Sequence, residues 1–240
     1  MKFHIFDKDQ DLLLAYTVYF IEKARKYIAE KGVFNVVLSG GSSPKKFYEL
    51  LTSPEFKDKI EWEKVNFFFG DERYVPAHDP QNNALMAEKA LFNPLQISKS
   101  QIFKVDTSIP PNEAAKKYLA TITAHFNNRP VHFDLVLLGL GDNAHTASLF
   151  PFTDVLHEKK PSVSAVYLKE ESVYRITMTA PLINQSKHIA YLVFGENKAK
   201  AVLQVIKGDD NADQFPAQLI NPENGDIHWF LDKKAAMLLE

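Results

Sequence analysis

The chain of 240 residues contains no cysteine, which removes disulfides, thiolate nucleophiles and cysteine metal sites from consideration. Excess charge of one sign is lacking too: 28 Lys and Arg against 30 Asp and Glu leave a formal net charge of −2, with the basic residues scattered rather than striped. No nucleic-acid partner is expected from that balance. Long apolar runs are missing. The most apolar stretch, LLLAYTVYFI, is too short to span a bilayer, and the opening MKFHIFDKDQ has no apolar core of signal-peptide length. A soluble, cytoplasmic protein without a membrane partner is expected. Repeats, low-complexity tracts and Gly/Ser-rich linkers are absent as well, so one domain over residues 1–240 is expected, with 45% hydrophobic residues to fill its core.

What is present is an alternation of strand-period and helix-period segments. KFHIFD reads as a strand, and Leu12, Ala15, Tyr16, Tyr19, Ile21, Ala24 and Ile28 give a helix stopped at Gly32. Strand VFNVVLS, a helix from Pro44, strand VNFFFG, a helix near 83–92 and a long helix from Pro111–Asn112 follow. FDLVLLGL is the middle strand. The second half supplies VSAVYLK, YRITMTA, IAYLVFG, a helix near 196–207, IHWFLD and a terminal helix. Strands apolar on both faces imply a mostly parallel sheet covered by helices on both sides, a three-layer α/β/α sandwich.

Four segments fall at strand-to-helix junctions, where strand carboxyl ends surround one crevice. Ser39-Gly40-Gly41-Ser42-Ser43-Pro44 reads as an anion-binding helix N-terminus or as an ordinary loop whose serines cap the helix. Gly70-Asp71-Glu72-Arg73 places three charges directly after an apolar strand: either an arginine held by two carboxylates and aimed at an anionic or carbonyl oxygen, or a structural salt-bridge knot. Gly139-Leu140-Gly141-Asp142-Asn143-Ala144 fits the dinucleotide pattern by letter but not by context, because Pro151 leaves no long helix after it. The same turn delivers His145, a side chain that exchanges protons near neutral pH, to the end of a buried strand. Arg175, inside a strand that reads as buried, needs an anionic partner from the protein or from a ligand phosphate, and Lys198 lies just inside a helix after a strand ending in glycine.

LSGGSSP, FFFGDERYVP with Asn82-Asn83, GLGDNAHTASLFP, RITMTAP, VFGENKA, FPAQ and IHWFLD occur in the order and spacing of the 6-phosphogluconolactonase family, which the chain resembles over nearly its whole length. The HTASLFP and DER elements set it apart from the related glucosamine-6-phosphate deaminases. The resemblance implies a modified Rossmann-like sheet (the NagB/RpiA/CoA transferase-like fold) without a nucleotide, and hydrolysis of 6-phospho-D-glucono-1,5-lactone with no cofactor or metal. It implies a catalytic set of His145, Arg73, Asn143 and Asp71, with His145 as base and Arg73 orienting the lactone or bearing its oxyanion. Ser39, Gly40, Gly41, Ser42, Ser43, Arg175 and Lys198 are implied as phosphate ligands. The phosphosugar lactone is the expected partner, in a monomer or weak homo-oligomer.

Two departures from the family pattern stand out. Relatives often carry Asp-Gly where this chain has Asn143-Ala144, so either Asn143 or the preceding Asp142 supports His145. Relatives' Ser-Asn is Asn82-Asn83 here. Two other classes stay open: a deaminase or isomerase using Asp71 to move a proton, and a non-catalytic phosphosugar-binding protein.

Overall fold

The computed structural model describes residues 1–239. Its main sheet is parallel, built from β1 (Lys2–Phe6), β2 (Phe34–Leu38), β3 (Val65–Phe69), β5 (Leu135–Leu138), β8 (His188–Val193) and β9 (Asp226–Asp232) in the order β1-β9-β8-β5-β2-β3. Period-two alternation sends Val36, Leu38, Leu135 and Leu137 into one core and Val37, Val136 and Leu138 into another. The first core is covered by α1 (Asp9–Lys31), α2 (Ser42–Leu51) and α3 (Asn83–Ala87); the second by α4 (Pro111–His125), α5 (Ala180–Ile183), α6 (Ala199–Lys207) and α7 (Lys233–Ala236). The fold is thus an α/β/α sandwich. No helix among the described residues is long and apolar enough to cross a membrane.

The elements agree closely with the sequence pattern, with one topological difference. VSAVYLK and YRITMTA do not join the parallel sheet: they pair antiparallel as β6 (Val163–Leu168) and β7 (Val173–Met178), and the DER segment adds to β7 as β4 (Asp71–Arg73). Chain length explains this. Residues 169–172 alone join β6 to β7, and Gly70 alone joins β3 to β4, whereas a parallel neighbour needs a crossover of about a dozen residues or more. The helix near 83–92 also changes character, passing from α3 into a π-helical turn over Glu88–Phe92.

Chain order places the site. From β2 the chain steps outward to β3, then returns past β2 to β5 and continues to β8 on the other side. Loops leaving β2 and β5 therefore diverge, and the crevice between their carboxyl ends is where open sheets of this kind bind ligands.

Candidate active site

A cleft of about 380 Å³ opens at that crevice, lined by the Ser39–Ser43 loop, Asp71, Arg73, Gly139–Gly141, His145, Arg175 and Lys198. Tyr48 of α2 fixes its first wall, donating its hydroxyl to the Ser39 carbonyl at 2.8 Å and accepting from the Ser39 amide at 3.1 Å. Gly41 follows at φ 105°, a conformation that L side chains rarely adopt, and α2 starts at Ser42 without any side-chain cap. The serines therefore do not cap the helix. Its first-turn amides are left without internal acceptors at the positive end of the helix dipole, a combination suited to an anion.

The DER strand divides its charges between two sides. Glu72 is fully buried and accepts from the amides of Arg73 at 2.8 Å, Asn83 at 2.6 Å and Ala84 at 2.9 Å, anchoring the start of α3. Burial raises its carboxyl to about 7, against the opposing pull of those amides. Asp71 faces the cleft, accepts from Ser148 Oγ at 2.5 Å, and has its pKa raised by burial. Arg73 donates to the Gln81 carbonyl at 3.0 Å, and no carboxylate among the described residues forms an ion pair with it. Neither reading of the DER segment, an arginine held by two carboxylates or a salt-bridge knot, is found among the described residues. Strand alternation turns Glu72 away, and Asp71 is engaged by Ser148.

Around His145 the backbone closes a tight turn, with the Gly141 amide donating to the His145 carbonyl at 2.8 Å and Ala144 at φ 62°. Gly141 is required by contact: a Cβ there would lie 2.1 Å from His145 Nδ1. Asn143 Oδ1 lies 2.6 Å from His145 Nδ1 and 3.3 Å from the His145 amide. An amide oxygen facing Nδ1 selects the neutral tautomer protonated there and leaves the Nε2 lone pair free. No described residue hydrogen-bonds Nε2. Burial, then the charge of Lys198, with further contributions from Arg175 and Arg73, lower the imidazole to about 4 against the opposing charge of Asp142. The ring is neutral at pH 7. Asp142 itself is exposed and, among the described residues, accepts only from the Asn143 amide at 3.1 Å, so Asn143 is the side chain in contact with the base.

Cations close the other side. The β4–β7 register sets Arg73 directly opposite Arg175, and like charges so placed destabilise a ladder unless an anion lies between or beside them. Arg175 finds a protein carboxylate: its Nη2 lies 2.8 Å from Glu171 Oε2, with the arginine side chain 13% and the glutamate 52% exposed. Lys198 sits in a 3-10 turn, Glu196–Lys198, directly before α6. Asp232 holds that turn by accepting from the Gly195 amide at 3.0 Å while capping α7 through the Ala235 amide at 2.8 Å. The Lys198 ammonium has no partner among the described residues.

The catalytic and phosphate-binding residues implied by the resemblance line the cleft except Asn143, which stands behind His145 beside a neighbouring groove; Glu72 and Asp142, also singled out from the sequence, do not line it. Sequence reasoning does not reach Ser148, Phe150 or Glu171. The first two lie inside HTASLFP, but only the folded turn reveals their contacts; nothing in the pattern marks Glu171. Among the described residues no group of three or more His, Asp or Glu is arranged to hold a metal ion.

A family model described as glucosamine-6-phosphate isomerases/6-phosphogluconolactonase matches residues 7–229. The chain is 37% identical over 232 residues to a 6-phosphogluconolactonase of Nostoc sp., covering 95% of this chain and 94% of that protein. It is 35% identical over 205 residues to a 6-phosphogluconolactonase of Haemophilus influenzae, covering 85% and 87%. Among solved structures it is similar to 6-phosphogluconolactonase from Thermotoga maritima, with a TM-score of 0.84, 28% identity and coverage of 97% and 99%. The corresponding values for 6-phosphogluconolactonase from Trypanosoma cruzi are 0.88, 26%, 99% and 96%. With both the family model and relatives above 30% identity spanning most of its length, the chain belongs to the family of glucosamine-6-phosphate isomerases and 6-phosphogluconolactonases.

Proposed function

We propose that this protein hydrolyses 6-phospho-D-glucono-1,5-lactone to 6-phospho-D-gluconate, the second step of the oxidative pentose phosphate pathway. One observation carries the reading: a neutral imidazole with a free Nε2 shares a small cleft with an uncapped helix N-terminus and three cationic side chains. The cleft matches a substrate with a phosphate at one end and an electrophilic carbonyl at the other.

In this reading the Ser39–Ser43 amides, Arg175 and Lys198 hold the phosphate, with Glu171 displaced from Arg175 as it binds. His145 Nε2 takes a proton from a water as the water oxygen bonds to lactone C1. Arg73 bears the negative charge that gathers on the former carbonyl oxygen. When the C1–ring oxygen bond breaks, the departing oxygen takes the proton back from His145, and neutral imidazole is restored. Asp71, held by Ser148, turns a carboxyl oxygen to the sugar hydroxyls. Phosphate anchoring at a distance from C1 aligns the carbonyl with the water. The cleft is assembled within one chain, which supports action as a single catalytic domain, in a monomer or a weak homo-oligomer.

The test generates the lactone from glucose 6-phosphate with its dehydrogenase and follows acid release with and without the protein. Acceleration over the spontaneous reaction is expected, with unphosphorylated gluconolactone a poor substrate. Ammonia release from glucosamine 6-phosphate, or binding of the lactone without turnover, would each replace this proposal.

A further inference from the structure

His145 and Phe150 are brought face to face by the turn between them. Thr146 and Leu149 form an antiparallel bridge, the Leu149 amide donates to the Thr146 carbonyl at 3.0 Å, and Ala147 sits at φ 47°. The next facing pair outward in such a ladder is residues 145 and 150. Their ring centroids are 4.1 Å apart with 23° between planes, at the close end of aromatic pairing. The turn is pinned at three points: Thr146 Oγ1 donates to the Gly139 carbonyl at 2.9 Å, the Ser148 amide to Thr177 Oγ1 at 3.2 Å, and Ser148 Oγ to Asp71.

We propose that Phe150 is a positioning residue for the base: its ring covers one face of the His145 imidazole and, together with Asn143, holds Nε2 toward the lactone carbonyl. The proposal rests on the reading of His145 as the base. Rotation of an imidazole about its Cβ–Cγ bond is broad and weakly restrained. The hydrogen bond at Nδ1 fixes one ring atom but lets the plane tilt about that contact; a flat neighbour on the ring face removes the tilt. Misplacing a reacting group by ~1 Å lowers rate by about 10²-fold, so the restraint matters to turnover.

Phe150 also separates two spaces. It lines both the catalytic cleft and the adjoining groove, so losing its ring would admit water to the covered imidazole face. The charges that act on His145 are Asp142, Arg73, Arg175 and Lys198, and a change at Phe150 alters none of them.

The experiment compares wild type with Phe150→Tyr, Phe150→Leu and Phe150→Ala by two readouts: the His145 ring titration followed by NMR, and kcat and KM for the lactone. Phe150→Tyr keeps the stack and is expected to retain both. Phe150→Leu keeps most of the bulk without a flat face, and kcat should fall ~10-fold with KM within about 2-fold. Phe150→Ala should lower kcat by ~10²-fold and move the ring pKa from about 4 toward its ordinary value, because water reaches the face. Wild-type kcat in the leucine and alanine variants, or a ring titration unmoved in the alanine variant, overturns the proposal. Should the alanine variant not fold, the leucine variant's kcat decides. If the wild type fails to hydrolyse the lactone, the proposed function falls while the ring titration still reads the stacking contact.

Discussion

Asn143→Asp exchanges the side-chain amide nitrogen for a second oxygen, keeps the oxygen in contact with the base and leaves the side chain's shape unchanged. With Asn143 Oδ1 at 2.6 Å from His145 Nδ1, an aspartate there would hold its charge ~4 Å from the centre of an imidazolium. The Coulomb energy at that distance is ~1 kcal/mol in water and ~4 kcal/mol at an effective dielectric of ~20. Asn143 is exposed and His145 half-buried, so the watery end of the range applies, ~1–2 kcal/mol or about one pKa unit. A carboxylate favours the charged ring, so the pKa rises from about 4 and the acid limb of kcat/KM rises with it. At neutral pH the ring remains deprotonated and able to accept a proton, while the imidazolium formed as water attacks is stabilised. Turnover should therefore rise by up to ~10-fold with KM unchanged. Asp142→Asn removes only a through-space charge; its acid limb should move slightly down and its kcat fall less than ~5-fold. Paired pH–rate profiles of the two variants decide the matter. An unmoved limb and turnover in Asn143→Asp, or a larger effect from Asp142→Asn, would refute the assignment of Asn143 as the contact that supports the base.

Other expectations concern the cleft walls. Arg175→Gln and Lys198→Gln should each weaken phosphosugar binding by roughly one to two orders of magnitude, the equivalent of ~1.5–3 kcal/mol for a charge-assisted contact, measured as KM for the lactone or Ki for 6-phosphogluconate. Glu171→Gln should act in the opposite direction, because a half-exposed ion pair worth ~1 kcal/mol or less no longer has to be broken when phosphate binds; KM should fall about 2- to 5-fold with kcat retained. An increase in KM would show instead that Glu171 itself contacts the sugar. Gly141→Ala introduces a methyl 2.1 Å from His145 Nδ1 at a residue outside the left-handed region, so it should displace the ring and lower kcat by ~10²-fold. Turnover near wild type would mean that the ring position is not what sets the rate.

The main sheet is legible in the sequence because parallel strands buried on both faces, such as Phe34–Leu38 and Leu135–Leu138, leave continuous apolar runs that nothing else explains. The second sheet is not. VSAVYLK and YRITMTA have the same composition as parallel strands, and only the four-residue connection between them carries the antiparallel pairing. In the site, glycines and charges at strand ends marked the cleft residues from Ser39 to Lys198. The identity of each charge's partner was hidden, since Glu72 bonds to amides of α3 and Arg175 to a carboxylate at a hairpin tip. Ala144 shows the same limit. Its φ of 62° is a glycine-like conformation worn by an alanine, and local sequence carries no sign of it.

The most direct test of base catalysis is the rate of 6-phosphogluconolactone hydrolysis by His145→Ala beside wild type, corrected for the spontaneous reaction. Loss of a general base whose free Nε2 faces the substrate requires a fall of ~10²- to 10⁴-fold in kcat, with KM little changed because the phosphate ligands remain. A variant that hydrolyses the lactone within a few-fold of wild type would place the proton acceptor elsewhere in the cleft, and His145 would then be no more than part of its wall.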